Sequence, residues 1–211
     1  MNQAYNVSRF VSRQSIMTFV MVLMMSLLMT GCGTKVSRVG VDETIDLSGR
    51  WNDSDSRLVS ETMVRDLLSK GWYTRHLSQG RGVPVIIIGD VRNLSHEHIN
   101  VRTFVNDIER ELINSGEVEF VASSAERSEI RDERLDQDLH ASVDTRKVMG
   151  EETGADYMLK GAINTIIDRE GKKSVKFYQV DLNLISLKDN RKLWVGQKKI
   201  KKMVKKKAFR L

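Results

Sequence analysis

One cysteine, one proline and four histidines occur in 211 residues. A single cysteine excludes an internal disulfide and any zinc site built on several thiolates. A single proline excludes a long Pro-rich spacer. Histidines at 76, 96, 98 and 140 leave little material for a metal centre. His96 and His98, two apart, can share a strand face or bracket a loop metal. Without a third ligand they read as polar loop residues, so no metal and no cofactor are assigned. No apolar run reaches the roughly 20 residues that a bilayer-spanning helix needs. No GxSxG elbow, Walker loop, HExxH helix or paired-cysteine motif is present. The carboxylates of 126–138 offer acid–base groups without any sign of a pocket, so the chain reads as no enzyme.

What is there is a globular composition, 40% hydrophobic and 29% charged. The net charge of +6 divides unevenly. Arg9 and Arg13 supply +2 and eight basic residues from Lys198 to Leu211 supply +8, which leaves the body between them at −4. The basic balance therefore belongs to a tail. Lys198, Lys199, Lys201 and Lys202 flank Ile200 and read as the solvated edge of a last strand, where lysines discourage edge pairing. Contact with anionic lipid is the next reading, and nucleic acid the least favoured, since an exported protein does not meet it.

The export reading comes from the amino terminus. Residues 16–29, IMTFVMVLMMSLLM, follow a short segment charged only by Arg9 and Arg13, the pattern of a bacterial signal peptide. Met29-Thr30-Gly31-Cys32 then resembles a lipobox, with Met where Leu is usual. Cys32 is the expected lipid-attachment residue, which gives the one cysteine a purpose. Gly33, the second residue of the mature chain, favours the outer membrane over the inner, and two or three acyl chains anchor firmly.

The mature chain reads as one α/β domain. Residues 1–31 are the signal peptide, 32–52 a short tether, 53–204 the domain and 205–211 a basic C-terminal tail. Asn52-Asp53-Ser54-Asp55-Ser56 offers helix caps. Val59, Met63 and Leu67, with Leu58 beside them, form an apolar stripe that Gly71 ends. Trp72 and Tyr73 read as core or docking aromatics. Pro84–Val91 is a doubly apolar, central strand. Val101, Phe104, Val105, Ile108, Leu112 and Ile113 predict the clearest helix, with Asn100 as cap and Asn114-Ser115-Gly116 as stop. Glu117–Ala122 alternates as a second strand. Residues 123–139 predict a solvated helix, and Asp144–Thr153 a further short one stopped by Gly154. Strands over 156–167, 174–187 and 193–203 form a meander with short polar turns. A strand–helix–strand opening and an antiparallel end imply a small mixed β-sheet flanked by helices.

DLSGRWNDSDSRLV (46–59) closely resembles a characteristic stretch of the LpoB family of penicillin-binding-protein activator lipoproteins. The likeness continues through VPVIIIGDVRNLSHEHIN (83–100), FVNDIERELINSGEVEFVASSAER (104–127), GADYMLKGAI (154–163) and LWVGQKKIKK (193–202). The resemblance implies a non-enzymatic lipoprotein on the periplasmic face of the outer membrane. Such a protein binds a class A penicillin-binding protein, a bifunctional peptidoglycan synthase, and stimulates it in cell-wall synthesis. It also implies a fold similar to the amino-terminal domain of TolB and to part of CsgG. The best-studied members carry a long Pro-rich tether. Here about 20 residues separate Cys32 from the first domain helix, roughly 70 Å fully extended at ~3.5 Å per residue and about 25 Å as a coil. The alternative is a structural or secretion-linked lipoprotein, a docking module of a CsgG-like or TolB-like assembly. No partner-contact residue is assigned.

Overall fold

The structure, a computed structural model, describes residues 15–21, 36–41, 43–147 and 150–205. Residues 15–21 are helical (α1), and no described helix is long and apolar enough to cross a membrane. Cys32 and the rest of the lipobox lie outside the described residues. The chain divides into two units, Met1–Val41 and Asp42–Leu211. The second runs α2 (Asp53–Leu68), α3 (Gly71–Ser78), β1 (Val85–Leu94), α4 (Val101–Asn114), β2 (Glu119–Phe120), α5 (Ser124–His140), β3 (Tyr157–Glu170), β4 (Lys173–Ser186) and β5 (Lys192–Lys205).

These strands form one mixed sheet in the order β2-β1-β3-β4-β5. β1 pairs in parallel with β2 and β3, and β3–β4–β5 is the antiparallel meander. Strict alternation on β4 sends Tyr178, Val180, Leu182 and Leu184 to one face, where they are buried. Against that face lie Val59, Met63 and Leu67 of α2 and Phe104, Ile108 and Leu112 of α4, all in the same core. Leu58 beside them is half exposed. Among the described residues, the buried apolar side chains of this core lie between Val59 and Trp194.

Local chemistry places the helices. The Asn52 side chain accepts from the Asp55 N–H, and the Asp55 carboxylate accepts from the Asn52 N–H, both at 3.0 Å. That reciprocal cap starts α2. Asn100 caps α4 through the Arg102 N–H. α5 has no buried residue, as its charge-rich sequence predicts.

Three expectations are corrected. Gly71 does not close the helical region; it opens α3, because Trp72 turns into the core and donates its indole N–H to the Leu67 carbonyl at 2.8 Å. The strand expected over Glu117–Ala122 is only Glu119–Phe120, since Ser123 and Glu126 form the next capping box immediately and turn the chain into α5. The helix expected over Asp144–Thr153 is absent among the described residues, which hold a turn closed by Thr145 N–H to Ser142 C=O at 3.1 Å. That stretch has no apolar stripe to bury, so nothing offsets the cost of nucleating a helix.

Candidate partner-binding face

The alternation that buries one face of the meander presents the other. Lys160 and Asn164 of β3, Gln179, Asp181 and Asn183 of β4, and Gln197 of β5 lie on that outer face. Asp181 is its centre: it accepts from Gln179 Nε2 at 2.9 and 3.1 Å and from Gln197 Nε2 at 2.8 Å. Apolar side chains flank this polar centre at both ends. Ile166, 65% exposed, and Phe177 sit in register at one end, and Met158, Ile185 and Val195 are at the other.

Behind the face, buried charges hold the meander to the helices. Glu97, in the loop after β1, meets Lys176 Nζ at 2.7 Å, the Tyr178 hydroxyl at 2.8 Å and the Trp51 N–H at 3.1 Å. Burial opposes ionisation of Glu97, but the Lys176 ammonium and these two donors outweigh it and hold the carboxyl below its ordinary range. Burial, with Glu97 beside it, pushes the Tyr178 phenol upward. Trp51 packs edge-on against Tyr178 and Phe104. One strand over, Lys202 Nζ reaches Asp55 at 2.6 Å, Asp46 at 2.9 Å and the Arg50 carbonyl at 3.0 Å. Burial disfavours the Lys202 cation, and the two carboxylates more than restore it. Lys202 is therefore no part of a solvated edge; its side chain is 10% exposed.

A second concavity, about 560 Å³, lies beside α3 and the β4–β5 turn and is lined by His76, Arg81, Tyr157 and Asp189 among others. His76 Nδ1 is 2.7 Å from the Tyr157 hydroxyl. Burial lowers the imidazole, against the pull of Asp156, and raises the phenol, so both are held neutral near pH 7.

The residues singled out in the sequence fall apart in space. His96 is tied to Thr165, its N–H at 3.0 Å and its Nδ1 at 2.9 Å from Oγ1, and His98 is exposed. No group of three metal-ligating side chains is assembled among the described residues. Trp72 is buried as expected. An open concavity of about 610 Å³ runs along α5, where the sequence suggested none, lined by Glu129, Glu133, Arg134 and Lys147 among others. Arg131 of α5 clasps Glu152 through two bonds at 2.7 and 2.8 Å. The Glu97–Lys176 and Lys202–Asp55–Asp46 groups carry no sequence signal, since their members are far apart in the chain.

Compared with known proteins, residues 55–200 match the family model described as peptidoglycan-synthase activator LpoB. No curated protein matches the chain. Among solved structures, the LpoB C-terminal domain from Escherichia coli is 16% identical, with a TM-score of 0.40, covering 69% of this chain and 98% of that one. The corresponding domain from Salmonella enterica is also 16% identical, with a TM-score of 0.38 and the same coverage. The solution structure of E. coli LpoB is 15% identical, with a TM-score of 0.38, covering 83% of each chain.

Proposed function

This chain belongs to the LpoB family of peptidoglycan-synthase activators, and on that premise we propose that it is an outer-membrane lipoprotein, anchored through Cys32, that binds and stimulates a class A penicillin-binding protein. The observation that carries the reading is the family match, which spans α2 to β5 and so includes every strand of the outer face.

The action is regulatory. A ligand shifts a two-state enzyme only by binding one state more tightly, so the domain acts by preferring the active conformation of the synthase ectodomain. The Asp181 centre supplies acceptors and the glutamine amides donors, while the apolar ends supply buried area. The chain contributes no chemical step and adds nothing when the synthase is absent.

The test measures glycan polymerisation by a purified class A synthase of the same organism, in detergent, with and without residues 33–211. Stimulation is expected, and Asp181→Lys should abolish it while leaving the circular dichroism spectrum and Tm unchanged. A chain that neither binds nor stimulates any such synthase removes the activator reading. Stimulation undiminished by Asp181→Lys removes the outer face as the contact.

A further inference from the structure

One end of the sheet concentrates positive charge that its own carboxylates only partly offset. The β3–β4 hairpin turns at Gly171-Lys172, and around that turn stand Arg50, Arg169, Lys172, Lys173 and Lys205, all exposed. Arg50, Arg169, Lys172 and Lys173 line a groove of about 460 Å³ there. Among the described residues none of the five has an ion-pair partner within 4 Å, although Asp168 and Glu170 share the hairpin.

The contrast along β4 and β5 is informative. Lys176 faces Lys202 in register, and that pair is neutralised by Glu97, Asp46 and Asp55. Three residues along the same two strands, on the opposite face of the sheet, Lys173 faces Lys205, with Glu170 of β3 in register on its other side. Like charges directly opposed across a sheet are unfavourable, and Arg50, Arg169, Lys172, Lys173 and Lys205 against Asp168 and Glu170 leave this end with a net charge of +3. The sequence continues past Lys205 with Lys206, Lys207 and Arg210.

The chain also enters the domain at this end. Asp46 and Arg50 are tied to Lys202, and the Gly49 carbonyl accepts from the Tyr178 hydroxyl at 3.2 Å. Thirteen residues, 33–45, separate Cys32 from Asp46. As a coil they span about 20 Å, which keeps the entry point close to whatever surface holds Cys32.

We propose that this cationic pole is a membrane-docking site that lies against anionic phospholipid headgroups of the leaflet in which the Cys32 acyl chains are embedded. The choice of occupant rests on the lipid anchor proposed above. Each basic residue near an anionic surface adds a several-fold gain in partition, and the short tether raises the local concentration of headgroups at the pole. The domain is then held by two attachments, one covalent and one electrostatic, with the outer face of the sheet free for a protein partner.

The test uses the non-acylated chain, residues 33–211, so that the pole is read without the anchor. Co-sedimentation is measured with phosphatidylethanolamine vesicles containing 0, 20 or 40% phosphatidylglycerol. Binding should rise with the phosphatidylglycerol fraction and disappear in 500 mM NaCl, where the Debye length is only about 4 Å. Arg169→Glu/Lys172→Glu/Lys173→Glu should lower the partition coefficient at least tenfold. Lys188→Glu/Lys192→Glu, at the β4–β5 turn about 45 Å away along the strands, should leave it within twofold. If the triple reversal fails to fold, the same three positions changed to Gln serve in its place, with at least a fivefold loss expected. No phosphatidylglycerol-dependent binding by the unmodified chain overturns the inference. Equal losses in the two charge-reversed variants also overturn it, by making net charge rather than the pole responsible. Co-sedimentation with peptidoglycan sacculi but not with vesicles overturns the choice of lipid. Synthase stimulation in vesicle-free detergent should be unchanged in the triple variant, which separates failure of this site from failure of the activator reading.

Discussion

Glu97→Gln tests how the helices are fastened to the meander. The carboxylate accepts from Lys176, Tyr178 and the Trp51 N–H, and the Glu97 and Lys176 side chains are only 10% and 11% exposed. Glutamine can still accept from Tyr178 and Trp51, but the Lys176 ammonium then stays buried without a counter-charge. Breaking one side of a buried pair costs about 3–5 kcal/mol, and because two of the hydrogen bonds survive, the lower end, about 3 kcal/mol, is expected here. In a domain of this size that corresponds to a fall in Tm of roughly 6–12 °C. Lys176→Met in the same chain removes the orphaned charge, and the double variant should recover most of the loss. Urea unfolding followed by circular dichroism measures all four corners of this cycle.

The same group makes a pH-dependent contribution with a definite sign. Its carboxyl is held below the ordinary glutamate value of 4.5, so the native state binds fewer protons than the unfolded chain around that pH. The stabilisation is complete above 4.5 and is lost as pH falls through the folded value. The difference between the natural chain and Glu97→Gln should therefore shrink below pH 4.5. A Glu97→Gln cost under about 1 kcal/mol, or strict additivity in the double variant, would refute this account of the network.

Gly161→Ala should destabilise by about 2–3 kcal/mol in urea melts, because the new Cβ would overlap the Asp181 carbonyl of the adjoining strand, and backbone cannot yield as a side-chain tip can. His76 is held below its ordinary 6.5 chiefly by burial, so it favours the fold above that pH; stability should decline as pH drops from 6.5, and His76→Asn should flatten that slope. Intact mass of membrane-extracted protein should show an acylated chain beginning at Cys32, and Cys32→Ala should release the chain or leave it unprocessed. A signal-retaining, lipid-free native protein would overturn the anchor, and lengthening residues 33–45 should preserve or improve function in cells.

The elements most legible in the sequence are those whose pattern is dictated by burying one face. β4 alternates because Tyr178, Val180, Leu182 and Leu184 share one side, and α4 shows its stripe because Phe104, Ile108 and Leu112 meet the core. The misread elements are those set by competition between neighbouring segments. β2 is cut short by the Ser123 cap that follows it, and Gly71 opens a helix because Trp72 finds the core one residue later. The lysines of β5 mark the boundary of what one sequence can reveal. Their spacing identifies a strand with two faces, but the fate of each depends on partners brought from elsewhere. Lys202 is drawn in by Asp46 and Asp55, from the entry segment and the first turn of α2, whereas Lys205, three residues on and on the other face of the sheet, lies opposite Lys173. Two lysines of the same strand thus take opposite places, one closing the core against the helix and the other exposed at the end of the sheet.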